Sequence, residues 1–152
     1  MGESEVSATG AASIGAGSIG KVDHIAMAVH STSAALALYA GVLELPTTAA
    51  EVHAGEGVKI TFLQAGETRI ELLESVAEGS AVARFLEKRG EGLHHICVEV
   101  DDLAAASARL AAAGFNVLDK TPRRGLHGEK LIFVHPKSAF GVLLELYERE
   151  AH

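Results

Sequence analysis

Apolar positions along the chain switch between two periods. VDHIAMAV (22–29) alternates like a half-buried strand. STSAALALYAGVLEL (31–45) then reads as a helix: Ser31 or Ser33 caps it, Leu36, Leu38, Tyr39, Val42 and Leu43 form its apolar face, and Pro46 lies just past it. GVKITFLQA (57–65) and TRIELLES (68–75) are strands joined by a Gly-Glu turn at 66–67, and SAVARFLEKRG (80–90) is a short helix stopped by Gly90. The order then recurs. HHICVEV (94–100) is a strand, and DDLAAASARLAAAG (101–114) is a helix with an aspartate cap and a glycine stop. FNVLDKTP (115–122), EKLIFVHP (129–136) and GVLLELYE (141–148) are three further strands.

This recurrence is an internal repeat. DHIAMAV aligns with HHICVEV and places His24 on His95; RIELLES aligns with LLELYER and places Glu71 on Glu145. Each half carries a histidine on its first strand and a glutamate on its last. Two similar halves imply a pseudo-twofold arrangement in which equivalent side chains converge. Adjacent strand residues face opposite sides, so His24 and His95 are expected to point one way and their partners in the alignment, Asp23 and His94, the other.

Glu71 and Glu145 each stand among apolar neighbours, where a carboxylate costs several kcal/mol unless it is paired or bound to a cation. One histidine on an apolar strand is usually structural, and one mid-strand glutamate is usually solvated. The recurrence of all four at matched positions favours a shared divalent ion instead. Two nitrogens and two oxygens suit Zn, Mn, Co, Ni or Mg rather than a soft ion.

Composition narrows the function classes. The chain has 152 residues and a formal charge of −7, with no basic stripe, so no nucleic acid partner is expected. No apolar run approaches the ~18 residues of a membrane span, so no membrane partner is expected either. Cys97 is the single cysteine, which points to a reducing, cytoplasmic setting and to a small buried hydrophobe. Residues 1–20, rich in Gly, Ala and Ser and without Lys or Arg, read as a disordered leader, 21–148 as one domain (module one 21–90, module two 91–148), and 149–152 as a tail.

VDHIAMAV, GETRIELLES, SAVARFLEKRGEGLHHICVEVDDL, PRRGLHGEKLIFVHPKS and GVLLEL together resemble the vicinal oxygen chelate superfamily and, within it, the methylmalonyl-CoA epimerases. The resemblance covers nearly everything from 21 to 148. It implies an α+β fold of two paired βαβββ modules forming a curved sheet around a metal site. His24, His95 and Glu145 match the metal ligands, and Glu71 matches a fourth ligand position that is often glutamine in epimerases. It implies one divalent ion per chain, an acyl-CoA substrate, a homodimer, and exchange of the 2R and 2S forms of methylmalonyl-CoA through a metal-stabilised enolate.

The family can carry an acid–base glutamate on the strand before the fourth ligand. Ile60 stands at the corresponding position, with Glu51 and Glu56 in the connecting loop nearby. That leaves Glu71 and Glu145 as the expected catalytic pair. Lys137 and Ser138 are candidates for the substrate carboxylate or the CoA phosphates, His127 for the pocket mouth, and Arg123, Arg124 and Lys130 for phosphate attraction. His30 and His53 read as solvated, and His135 as a residue of the pocket mouth or surface. Two rivals share the fold: a glyoxalase I-type isomerase (lactoylglutathione lyase) and a non-catalytic ligand-binding module.

Overall fold

The computed structural model describes residues 16–150. Its strands are β1 (Ile19–Ala28), β2 (Thr47–His53), β3 (Val58–Ala65), β4 (Thr68–Ser75), β5 (Gly92–Val100), β6 (Arg123–Arg124), β7 (Lys130–Val134) and β8 (Leu143–Glu148). They form one sheet in the order β2-β3-β4-β1-β5-β8-β7-β6. The order is a palindrome of the repeat: β1 pairs parallel with β4, β5 pairs parallel with β8, and the halves meet where β1 and β5 run antiparallel. The expected α+β fold of paired βαβββ modules is the fold observed. The two ends of the sheet also approach each other. Glu51 on β2 reaches His127, in the loop after β6, at 2.9 Å, so the sheet curls into a half-barrel with a concave inner face.

Three helices cover the sheet. The first, α1 (Thr32–Leu36), is capped by Ser31, whose hydroxyl accepts from the Ala34 amide. Helix α2 (Ala81–Arg89) joins the modules and packs Val82, Phe85 and Leu86 against Ala26, Ala28, Val58 and Leu73. Helix α3 (Leu103–Ala112), capped by Asp102, sets Leu103 and Ala106 against Val98, Val100, Ile132, Val134 and Leu146 on the outer face. No helix among the described residues is long and apolar enough to cross a membrane.

Four expectations are corrected. Residues 31–45 are not one α-helix: after Leu36 the chain widens into π-helical turns over Ala37–Val42, with the Leu43 amide bonding the Leu38 carbonyl. Widening changes the angular step per residue, so the predicted apolar stripe does not stay on one side. Leu38, Val42 and Leu43 are 48%, 73% and 53% exposed, while Leu36 and Tyr39 remain half-buried. The stretch holding Glu51 is an edge strand rather than a loop. Its outward residues are Thr, Ala and Val, which give little alternation to read.

Residues 115–122 are not a strand. They contribute one bridge, Val117 to Val134, before Pro122 and the two-residue β6. Asp119 supplies a side-chain acceptor to the Phe133 amide at 2.8 Å, in place of a ladder bond. Finally, the leader expected over 1–20 is not a free segment up to residue 20. Residues 1–15 lie outside the described residues, but β1 starts at Ile19, and Gly17 is fastened to module two. Its amide donates to Asp101 at 2.6 Å, and Arg109 grips the carbonyls of Ala16 and Gly17 at 2.7 and 2.6 Å. With φ +80° and the Ala106 amide 2.6 Å from where a Cβ would sit, position 17 admits only glycine.

The outer-face core should respond as a packed interior does. Ile132 is fully buried there. Ile132→Ala is expected to cost about 2–5 kcal/mol in urea unfolding. A loss below about 0.5 kcal/mol would show that this layer is not close-packed.

Candidate metal centre in the cleft

Two irregularities in the β1–β5 seam build the site. Val22 pairs with Val98 and His24 with Cys97, so Asp23 is an extra residue on β1. Ala26 pairs with His95 and Met27 with Leu93, so His94 is an extra residue on β5. These are β-bulges, which re-aim side chains, and each lies just before the histidine that the repeat singles out. Strict alternation therefore fails at both places. Asp23 and His94 do not point away from His24 and His95 but line the same cleft. Each partners its neighbour's ring: Asp23 Oδ2 lies 2.7 Å from His24 Nδ1, and His94 Nδ1 lies 2.8 Å from His95 Nδ1. Such contacts fix the ring orientation and leave both Nε2 atoms aimed into the cleft.

Glu71 and Glu145 meet them there. His24 Nε2 lies 2.6 Å from Glu71 Oε2, 3.2 Å from His95 Nε2 and 3.6 Å from Glu145 Oε2. His95 Nε2 lies 2.9 Å from Glu145 Oε2 and 3.9 Å from Glu71 Oε2. All four residues are between 5 and 8% exposed. The surroundings also repeat. Phe62 on β3 is opposite Glu71 and edge-on to His24, and Phe133 on β7 is opposite Glu145 and edge-on to His95. Arg69 covers Phe62 and Arg123 covers Phe133.

The electrostatics call for positive charge at this point. Burial alone would lower the basicity of His24, but hydrogen bonds to Asp23, Cys97, Glu145 and Glu71 outweigh it and raise it well above the usual imidazole range. Burial would likewise raise Glu145, but hydrogen bonds from His24 and His95 push its carboxyl down to about 2. Asp23 stays well below the usual carboxylate range despite burial, because His24 and Arg69 both donate to it. Burial pushes the Cys97 thiol up to about 12. A field that holds a proton on a buried imidazole against its burial also suits a cation, since the two compete for the same lone pairs. The four-donor set His24, His95, Glu71 and Glu145 can hold a divalent ion, and Nε2 of both histidines and a carboxylate oxygen of Glu145 lie within 4.8 Å of one another.

The cleft around this centre has a volume of about 940 Å³. Asp23 continues into a network the sequence reading did not find: Tyr147 donates to Glu99 at 2.6 Å and approaches Asp23 at 3.3 Å. The remaining candidates scatter. His127, His53 and Glu56 line the cleft mouth. Ser138 lies elsewhere, its hydroxyl accepting from the Asn116 amide, and Lys137 donates its backbone amide to His135 Nδ1 in the same turn. Neither lines the cleft. Arg123 is paired with Asp119, Arg124 with the Gly128 carbonyl and Lys130 with Glu148. Glu51 faces its register partner Ile60, which lines the cleft, and its carboxylate contacts His127.

Residues 23–133 match the Glyoxalase/Bleomycin resistance protein/Dioxygenase superfamily. Over 130 residues, 84% of this chain and 97% of the relative, the sequence is 43% identical to an ethylmalonyl-CoA/methylmalonyl-CoA epimerase of Cereibacter sphaeroides. The structure of methylmalonyl-CoA epimerase from Mycobacterium tuberculosis superposes with a TM-score of 0.80 at 32% identity, covering 88% of this chain and 90% of that one. A variant of the Streptomyces coelicolor methylmalonyl-CoA epimerase, in complex with 2-nitronate-propionyl-CoA, gives 0.79 at 35% identity, covering 88% and 100%. With the same modules and matches along almost the whole fold, the chain belongs to the methylmalonyl-CoA epimerase family of this superfamily.

Proposed function

We propose that this chain is a metal-dependent epimerase of methylmalonyl-CoA, interconverting its 2R and 2S forms by taking the α-proton from one face and returning a proton to the other. The observation that carries the reading is the buried quartet of His24, His95, Glu71 and Glu145, with tips no more than 3.9 Å apart where they are paired, at the floor of an acyl-sized cleft. Family membership supplies the substrate class, since the relatives are named for acyl-CoA epimerisation.

The α-carbon of the substrate lies between a thioester carbonyl and a carboxylate. Its proton becomes removable only when the charge that develops on oxygen is stabilised. When bound by the quartet, a divalent cation supplies that Lewis-acid stabilisation. The chain's own residues do the rest. Asp23 and His94 hold the two imidazoles in one orientation. Phe62 and Phe133 flank the centre and keep bulk water from its sides.

Inversion needs two groups that exchange protons on opposite faces of the carbon. Glu145, from module two, is one. For the other, Glu51 replaces Glu71 in our reading. Glu71 and Glu145 are both members of the quartet, whereas Glu51 is half-buried on β2 beside Ile60 and outside it. Glu51 thereby sets a carboxylate beside position 60, which lacks one, and that carboxylate contacts the cleft-lining His127. A positioned acid–base residue contributes roughly 10²–10⁴-fold to rate.

Metal analysis of protein purified with supplementation is expected to give one divalent ion per chain, lost in His24→Ala and His95→Ala. Asp23→Asn is expected to weaken ion affinity about 10–100-fold by loosening His24. Wild-type protein that takes up no ion would contradict the metal centre.

In deuterated water the wild-type enzyme is expected to exchange the α-proton of methylmalonyl-CoA and to equilibrate the two epimers. Glu51→Gln should lower epimerisation by about 10²-fold or more at full metal occupancy. If Glu51→Gln epimerises normally, Glu51 carries no proton. If the wild type exchanges nothing, the epimerase reading itself is wrong.

A further inference from the structure

The repeat that matches the quartet breaks close beside it. Ala28 and Leu73 are register partners on β1 and β4, and both are buried in the apolar cluster under α2. The alignment of DHIAMAV with HHICVEV and of RIELLES with LLELYER puts Glu99 on Ala28 and Tyr147 on Leu73. Glu99 and Tyr147 are likewise register partners, on β5 and β8. Module two thus carries a carboxylate and a phenol where module one carries packing residues. Glu99 is 7% exposed. A carboxylate so buried is costly unless it is bonded, so packing does not explain the exchange. Both residues line the metal cleft, as does Asp23.

The phenol joins two buried carboxylates. Tyr147 donates to Glu99 Oε2 at 2.6 Å, and its hydroxyl lies 3.3 Å from Asp23 Oδ1. The other oxygen of Asp23, Oδ2, meets His24 Nδ1 at 2.7 Å and accepts from Arg69 at 2.6 Å. A carboxylate held through one oxygen can still swing about it. Contact at Oδ1 opposes that swing and keeps Oδ2 aimed at the imidazole. Glu99 seats the phenol in turn, with Arg149 at 3.4 Å from its Oε1. The ring orientation that Asp23 sets decides where His24 Nε2 points, and here it lies 2.6 Å from Glu71. Resting on the metal-centre reading above, we infer that Tyr147 is a positioning residue for the cation site, acting through Asp23 on His24, and that Glu99 is there to hold the phenol. A side chain of module two thereby sets the aim of a ligand of module one across the β1–β5 seam.

The test is a double-mutant cycle on full-length protein. It is read by calorimetric titration with cobalt(II) and by the NMR resonance of the His24 Nδ1 proton in ion-free protein. Tyr147→Phe is expected to raise the cobalt Kd about tenfold, the lower end for outer partners of a metal ligand, and to displace the His24 proton resonance. In an Asp23→Asn background the same change should move Kd by less than about twofold, because the route through Asp23 is already cut. Tyr147→Phe leaves buried Glu99 with one donor fewer, so a second variant guards against loss of the fold. Glu99→Ala/Tyr147→Leu installs the pair that module one packs; it should match the wild type by circular dichroism and show the same loss of affinity. An equal rise in Kd with and without Asp23 overturns the proposal, since the phenol then acts by another route. Wild-type affinity in either variant overturns it too. If wild-type protein binds no cobalt, the metal-centre reading falls, and the ring proton decides the rest: a resonance that Tyr147→Phe displaces supports the positioning of His24, and one that it leaves in place overturns it.

Discussion

The structure depends on a cluster of four charged or polar tips that must be held together inside a sheet. Two carboxylates and two imidazoles, nearly excluded from water, are not a stable core by themselves. Burying a carboxylate without compensation costs several kcal/mol, and here two are buried side by side. Positive charge between them resolves the cost, whether it is a proton shared with His24 or a divalent ion. The remaining features keep the four tips in reach of one another.

The antiparallel seam of β1 and β5 does most of that positioning. It brings the two modules into register and places one bulge in each, just before the site histidine. A bulge spends a ladder bond, and the return is a pair of neighbours facing the same way, which flat strands cannot provide. The parallel partners β4 and β8 then carry Glu71 and Glu145 in beside the histidines. Duplication accounts for the symmetry: aromatic rings and their covering arginines repeat with the ligands. The two orienting partners differ. Asp23 is a charged acceptor to His24, whereas burial and the neighbouring His95 lower His94 to about 4, keeping it neutral.

Much of this was legible in the residues. The repeat of DHI against HHI and of RIELLE against LLELYE selected the four site residues, because burial of a carboxylate twice at matched positions needs a common cause. The module order followed from the same alignment. What stayed hidden was local and small. A bulge is one extra residue in a ladder, and nothing in an alternating pattern marks it, so Asp23 and His94 were assigned to the wrong face. The edge strand β2 lacks the apolar alternation of a half-buried strand, which left Glu51 in a supposed loop. The π-helical turns moved Val42 and Leu43 to the surface although their spacing suits an α-helix. The contact of Ser138 with Asn116 shows the converse: a suggestive motif, HPKS, in which the serine fastens a turn.

The central claim is that the four tips share one cation. A crystal of the protein grown with manganese, measured at a wavelength where that ion scatters anomalously, tests it most directly. The account predicts a single strong peak within bonding distance of His24 Nε2, His95 Nε2 and oxygens of Glu71 and Glu145. A map with no peak there, or with the ion held by other residues, would contradict it.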